Sequence, residues 1–358
     1  MVKNLVAVVL SALFCFGALE VGLRLYDQAN GRSFFSSRTI LPYRIFGHKV
    51  YDKAGGELRI RSRHGEIFPF DKPPGTVRIV TFGGSTSVNA AVYDEHGVHY
   101  SALLQERLNN RFPGKMFEVI SVANQGYATP HSLTLLALDV LSWDPDIVIV
   151  SHNTNDLHAS YFPDFVPDYS NKYAHPYYNQ SWLRHTCLNV RICRTVQSRI
   201  EKNGLITYPI KRRSYGLEPA DQVQRVFERN LESFAQLATS RGICVVMASQ
   251  PMRILTEAEF DREMGIKSYN AEVVYPLHEE FVSHHARFNE IIASTATRLD
   301  VSYADNAEDF AGNPEYFLDQ VHYSKPGVER LASNYEDVIA SMIGTDPGSA
   351  DCASTLAD

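Results

Sequence analysis

Arg78-Ile-Val-Thr-Phe-Gly-Gly-Ser-Thr-Ser87 is the stretch on which the fold turns. An apolar run of strand length, residues 79–82, breaks at Gly83-Gly84, and Ser85 follows at the bend. Paired glycines let the backbone turn where a side chain would clash. A helix opening there would aim its first N–H groups back at Ser85. Gly-Gly-Ser is equally an ordinary turn, and alone the turn reading is the stronger one. What the serine means depends on partners elsewhere in the chain.

Working outward, strand and helix patterns alternate. Residues 77–82 read as a strand. Residues 99–112 read as a helix carrying Leu103, Leu104 and Leu108 and ended by Pro113-Gly114, and residues 117–122 as a second strand. A helix is expected over 129–143, opening on the cap-and-first-turn pair Thr129-Pro130 and stopped by Pro145. Residues 147–151 are apolar on both faces, which suits a central parallel strand. Residues 221–240 place Val223, Val226, Phe227 and Leu231 on one helical side, and Gly242 closes that helix. A buried strand over 243–248, a helix over 281–299, a short strand over 301–304 and a last helix over 325–342 complete the series. Strands separated by helices imply right-handed crossovers and a parallel sheet covered on both faces. The expectation is therefore a three-layer α/β/α sandwich on a parallel five-stranded sheet. Ligands bind beyond the carboxyl ends of such strands, where Ser85 and residues 124–126 and 153–156 fall.

The 358 residues suffice for one large domain or two small ones. With 44% hydrophobic and 21% charged residues, the composition is globular. A formal charge of −7 and the lack of a long basic run argue against a nucleic-acid partner. Residues 5–19 are apolar or small throughout, follow Lys3, and resume at 21–23 past Glu20. No small-x-small cleavage site follows, so an uncleaved transmembrane anchor over 1–25 is expected ahead of a cleaved signal or a buried helix. The membrane is then a partner, and the bulk of the chain lies in the periplasm or outside the cell. Glu20 and Arg24 are spaced to pair on a helix. Residues 26–75 read as a linker and β collar, 76–343 as the main domain and 344–358 as a flexible tail. The interval 157–220 is rich in Tyr, Phe, His, Pro and Arg and too long for an ordinary connection, so it reads as a lid-like insertion. Cys187 and Cys193 share a short segment and could bridge in an oxidising compartment, whereas Cys244 sits in an apolar strand as a core residue. No Cys/His spacing resembles a zinc site, and His278, His284 and His285 read as a solvated helix face.

Asp319-Gln-Val-His322, followed by Tyr-Ser-Lys-Pro-Gly327, supplies partners for Ser85. Two intervening residues let a carboxylate and an imidazole meet across one turn. Asp319 can then fix the tautomer of His322, whose other nitrogen is left to accept the serine proton. A histidine in a loop before a helix is, alone, more often structural. Oxyanion donors are the third requirement. The Ser85 N–H, the N–H of Gly126 in Asn124-Gln-Gly-Tyr127 and the amide of Asn155 in Asn153-Thr-Asn-Asp156 are the candidates. A turn glycine and an Asx-turn asparagine are the plainer readings of the last two.

Taken together and in order, Gly-Gly-Ser-Thr at 83–86, Gly126, Asn153-x-Asn-Asp156 and Asp319-x-x-His322 resemble the four sequence blocks of the SGNH/GDSL hydrolases. The resemblance covers roughly residues 76 to 343. It implies an SGNH-hydrolase, flavodoxin-like sheet, with Ser85 as nucleophile, His322 as base and Asp319 as its orienting acid. It also implies an oxyanion hole of Ser85, Gly126 and Asn155, with no metal or organic cofactor. Anchor and collar together resemble membrane-tethered bacterial members. The first block usually reads Gly-Asp-Ser, and here Gly84 replaces the acid. No G-x-S-x-G elbow and no P-loop lysine are present. The expected activity is hydrolysis of carboxylic esters, such as acetyl esters of glycans or lipids, through an acyl-Ser85 intermediate. The rivals are an envelope-glycan O-acetyltransferase using the same triad and an inactive binding module.

Overall fold

Every residue of Thr76–Gly83 is buried, which requires a central strand in a sheet covered on both faces. The structure, a computed structural model, describes residues 2–29, 50–54, 56–162, 164–173, 190–202, 211–212, 221–267 and 274–344. In chain order its strands are β1 (Tyr51–Ala54), β2 (Glu57–Arg61), β3 (Ile67–Pro69), β4 (Thr76–Gly83), β5 (Met116–Ser121), β6 (Ile147–Ser151), β7 (Lys211–Arg212), β8 (Cys244–Ala248), β9 (Val274–Tyr275) and β10 (Ser302–Ala304). Five of them form one sheet in the order β10-β8-β6-β4-β5, with every neighbouring pair parallel. β1-β2-β3 is a separate antiparallel sheet, and β7 pairs with β9.

Alternation along each strand sends side chains to opposite faces. Val80, Phe82, Val148, Val150, Val245 and Met247 meet one core, shared with the helices Thr129–Leu138, Asp221–Thr239 and His278–Arg298. Ile79, Val119, Ile147, Ile149 and Val246 meet the other, shared with Tyr100–Arg111 and Lys325–Gly344. Burying each such side chain contributes about 1.5–3 kcal/mol. The three-layer sandwich is as expected, and so are the amphipathic helix Asp221–Thr239 and the core position of Cys244.

Several local expectations are corrected. The helix expected over 129–143 ends at Leu138, and Asp139 leads into a 3₁₀ turn, Val140–Trp143, closed by Asp144 in the left-handed region at φ 52°. Thr129 is not its cap but its first residue, and Ala128 stands at the cap position. His278, His284 and His285 do not form a solvated face. All three are buried, with His284 Nδ1 at 3.0 Å from the Tyr161 hydroxyl and His278 Nε2 accepting from Leu255 N–H at 3.1 Å. Cys193 is a free thiol and forms no bridge to Cys187, which lies outside the described residues. Much of the expected insertion and all but the first residue of the expected tail also lie outside them.

The membrane anchor is overturned. Among the described residues, no helix is long and apolar enough to cross a membrane. The helix Val2–Ala29 carries Glu20, Arg24 and Asp27 in its second half. Its apolar stretch, 5–19, falls short of the about 20 residues a span requires. Those charges are bound within the protein. Arg24 pairs with Glu20 at 2.7 Å, as their spacing implied. Arg191, at the start of the helix Arg191–Lys202, pairs with Asp27 at 2.6 Å and gives its backbone N–H to Glu20 at 2.7 Å. The reading of a membrane-tethered periplasmic or extracellular domain therefore has no support from this helix.

Arg78 locks the β1-β2-β3 sheet to the main sheet. Its side chain is fully buried inside β4, and its Nε donates to Glu118 of β5 at 2.9 Å. Nη1 donates to the carbonyls of Phe70 (3.0 Å) and Trp143 (2.7 Å), and Nη2 to that of Pro69 (3.0 Å). Removing one partner of such a buried pair leaves the other charge uncompensated. Arg78→Ala is therefore expected to lower unfolding stability by about 3–5 kcal/mol in urea denaturation. Arg78→Ala with Glu118→Leu should lose less than the sum of the two single changes.

Candidate active site

β4 delivers its last residue into the bend the sequence announced. Gly84 stands ahead of the short helix Ser85–Val88, and Asn89 ends it in the left-handed region at φ 48°. Being central, β4 pairs with β5 on one side and β6 on the other, and Gly83 lies opposite Ser151. The loops that follow β5 and β6 therefore emerge beside Ser85. Asn124 N–H donates to the Gly83 carbonyl at 3.1 Å, which ties the first of these loops to the bend.

Asp319 and His322 arrive from the far end of the chain, in the segment before the helix Lys325–Gly344. His322 Nε2 lies 2.9 Å from Ser85 Oγ, and His322 Nδ1 lies 2.7 Å from Asp319 Oδ2. The other carboxylate oxygen, Oδ1, accepts the backbone N–H groups of Val321 and His322, both at 2.9 Å. These bonds orient the carboxylate independently of the imidazole it holds. His152, also at the site, is unsuited as a base. Burial pulls it down to about 3, with His131 and Lys172 adding repulsion, and its Nε2 sits 2.6 Å from Ser132 Oγ.

The two loops carry the oxyanion candidates. Gly126 lies in the left-handed region at φ +77°, where its backbone requires glycine although a Cβ would meet open space. Tyr127 follows it, and its carbonyl accepts from Asn155 Nδ2 at 2.9 Å. A primary amide has two N–H groups, so this bond fixes the plane of the Asn155 amide and leaves one N–H to offer. Gly84 is pressed against the same pair. A Cβ there would stand 2.6 Å from Asn155 Nδ2 and 3.0 Å from the Tyr127 oxygen.

Ser85, Asn155 and His322 open onto one cavity of about 220 Å³, walled further by His158, Phe162 and Tyr275. Gln250 also lines it. It accepts from Thr154 N–H at 3.1 Å and gives its own N–H to Asn289 Oδ1, also at 3.1 Å. Asn289 Oδ1 also accepts from Asn153 at 2.8 Å. Sequence reasoning passed over Gln250, although it follows a core strand at the carboxyl edge where ligands bind. It also left Asp156 unassigned. That carboxylate is buried and accepts the N–H and hydroxyl of Thr129 at 3.1 and 2.5 Å, so it holds the start of the helix Thr129–Leu138. Burial pushes Asp156 up, opposed by the Thr129 bonds and by Lys172, and burial pulls Lys172 down, opposed by Asp156. Among the described residues, no group of three or more His, Cys, Asp or Glu is placed to hold a metal ion.

Residues 81–330 match the GDSL-like lipase/acylhydrolase family. The chain belongs to that family. Membership makes this GDSL-like protein an ester-bond hydrolase, and its residues 83–86, 126, 153–156 and 319–322 fall within the matched span. No curated protein matches it. Among solved structures it is similar to a GDSL-like lipase from Bacteroides thetaiotaomicron VPI-5482, at 15% identity and TM-score 0.40 over 74% of this chain and 88% of that one. It is also similar to an acetyl xylan esterase, at 16% identity and TM-score 0.43 over 74% of this chain and all of that one. An acetylxylan esterase from Geobacillus stearothermophilus matches at 12% identity and TM-score 0.43 over 75% of this chain and 95% of that one.

The glycine at 84 yields a direct expectation. A methyl group there must displace the Asn155 amide, which is tied to Tyr127. In steady-state ester hydrolysis, Gly84→Ala should lower kcat by about 10- to 100-fold, and Gly84→Asp, which restores the commoner motif, should lower it at least as far.

Proposed function

We propose that this GDSL-like hydrolase is a serine esterase that cleaves short-acyl carboxylic esters through an acyl-Ser85 intermediate. The observation that carries this reading is the continuous line Asp319–His322–Ser85, with contacts of 2.7 and 2.9 Å, ending at a serine on the cavity wall. A serine hydroxyl is a weak nucleophile at neutral pH, and an oriented imidazole within hydrogen-bond reach removes that obstacle.

In this reading Ser85 Oγ attacks the ester carbonyl carbon while its proton passes to His322 Nε2. Asp319 accepts from Nδ1–H and offsets the imidazolium charge. The carbonyl oxygen becomes an oxyanion and accepts from the N–H groups of Ser85 and Gly126 and from Asn155 Nδ2. Collapse breaks the bond to the alcohol oxygen, which takes the proton from His322 and leaves. Water then attacks the acyl-enzyme and gives a proton to His322, and release of the acid returns that proton to Ser85 Oγ. Every proton is accounted for by groups at the site.

The size and lining of the cavity support a short acyl group. About 220 Å³ bounded by Phe162, Met264 and Tyr275 on one part and by Asn153, Gln250 and Gln320 on another holds little hydrocarbon but offers hydrogen bonds to a polar alcohol. Acetylated sugars meet both conditions.

Two measurements test the proposal. Ser85→Ala and His322→Ala should each lower kcat by about 10⁴-fold or more, and the double variant should lose scarcely more than either, since the two groups act as a unit. Activity of Ser85→Ala equal to the parent would sink the mechanism. Across a series of esters of one alcohol, kcat/KM should be highest at acetyl or propionyl and fall by about tenfold or more at octanoyl. A maximum at long acyl chains would overturn the short-acyl assignment.

A further inference from the structure

Two adjacent side chains outside the triad reach the backbone of both oxyanion loops. The Tyr173 hydroxyl donates to the Gly126 carbonyl oxygen at 2.6 Å. The Lys172 ammonium donates to the Asn155 carbonyl oxygen, also at 2.6 Å. Both residues belong to the single turn Ser170–Tyr173, in the long segment that leaves β6, after the turns Thr154–Leu157 and His158–Tyr161. We infer that Lys172 and Tyr173 are positioning residues that clamp the Gly126 and Asn155 loops into one oxyanion-binding geometry. The inference rests on the assignment of Gly126 and Asn155 as oxyanion donors.

Burial argues that the contacts are built. Lys172 is 0% exposed and Tyr173 2%, and a lysine is almost never fully buried without partners that repay its desolvation. Here the partners are the Asn155 carbonyl and the charge of Asp156. The Tyr173 ring stands edge-on to His131 at 4.7 Å, and His131 stacks on Tyr127 at 4.6 Å. Lys172 Nζ lies 4.9 Å from the Tyr173 ring centre. Asp156 completes the layer through Thr129, which also accepts from Asn230 Nδ2 at 3.0 Å.

The geometry explains why two clamps are needed. Gly126 and Asn155 sit on loops after different strands, β5 and β6, and these loops are joined by the Asn155 Nδ2 bond to Tyr127 and by the bonds of Asp156 to Thr129. These bonds fall after Gly126 on the first loop and use side chains of the second, so they hold neither the Gly126 carbonyl nor the Asn155 carbonyl. Tyr173 fixes the first loop one residue before Tyr127, and Lys172 fixes the second at the backbone of the residue whose amide Tyr127 accepts. Since the two clamps are neighbours on one turn, the separation of the loops is set by the span between a lysine and a tyrosine tip. A displacement of about 1 Å at a positioning group is enough to cost about 10²-fold in rate.

The test is a set of variants assayed by steady-state hydrolysis of an acetyl ester, with thermal melting of each. Tyr173→Phe removes one oxygen, so it leaves the packing in place and guards against a Lys172 variant that fails to fold. Tyr173→Phe is expected to lower kcat by about 5- to 20-fold and Lys172→Met by about 10- to 100-fold, with KM changed by less than about twofold in both. In an Asn155→Ala background, Lys172→Met should cost less than about twofold more, because the donor it positions is gone. Losses confined to KM, unchanged kcat in Tyr173→Phe, or a Lys172→Met loss that multiplies in full onto Asn155→Ala would overturn the clamp while leaving the oxyanion assignment standing. An Asn155→Ala protein with parental kcat would instead overturn that assignment, and the clamp with it.

Discussion

The site depends on one close approach, that of the Gly84 backbone to the Asn155 amide and the Tyr127 carbonyl. The central strand of a parallel sheet has neighbours on both sides, so the loops beyond those neighbours converge on its end. β4 ends between the loop after β5 and the turn after β6, and there is no room for a side chain where they meet. A glycine at that position lets Asn155 stand against the main chain that carries Ser85. The acid usual in the first block of the family is therefore replaced by a contact. The neighbour that supports the bend here is the Asn155–Tyr127 pair, and a carboxylate at 84 would compete with it for the same volume.

The proposed base is held differently. Asp319 and His322 come from the segment before the last helix, more than two hundred residues along the chain from Ser85. No strand register aligns them with Ser85. Their position is set locally, by the Asp319 oxygen that accepts two backbone N–H groups and by the backbone bond from Leu318 N–H to the His322 carbonyl at 2.8 Å. The imidazole is thus presented by a self-braced turn, and it reaches Ser85 where that turn meets the end of β4.

That division accounts for what was legible in the sequence. The strands of the main sheet were readable because each is a short apolar run bounded by turn residues, and Asp221–Thr239 because its apolar side repeats at the helical period. The Asp319-x-x-His322 spacing was readable because it is a local motif. Features decided by distant contacts were not. His278, His284 and His285 look like a polar helix face until Tyr161 and the backbone of Leu255 are placed against them. The N-terminal helix reads as membranous from residues 5–19 alone, whereas Arg191 satisfies the charges that follow. Thr129 resembles a cap in sequence, yet its hydroxyl and N–H both serve Asp156, which arrives from the turn after β6. Lys172 gave no signal, since nothing near it in sequence marks a lysine as buried.

The aromatic segment after β6 therefore has two parts with different physical roles. Wherever the Gly126 and Asn155 loops are covered from water, their carbonyls need donors, because an unpaired buried carbonyl is costly. The turn Ser170–Tyr173 of the segment provides those donors, and His158 and Phe162 ahead of it line the cavity. Arg191–Lys202, farther along, packs instead against the N-terminal helix. A segment that only covered the site could be shortened with little effect on the reacting groups. One with a turn hydrogen-bonded to the backbone of Gly126 and Asn155 cannot be separated from them, and on that ground its first part belongs with the catalytic fold.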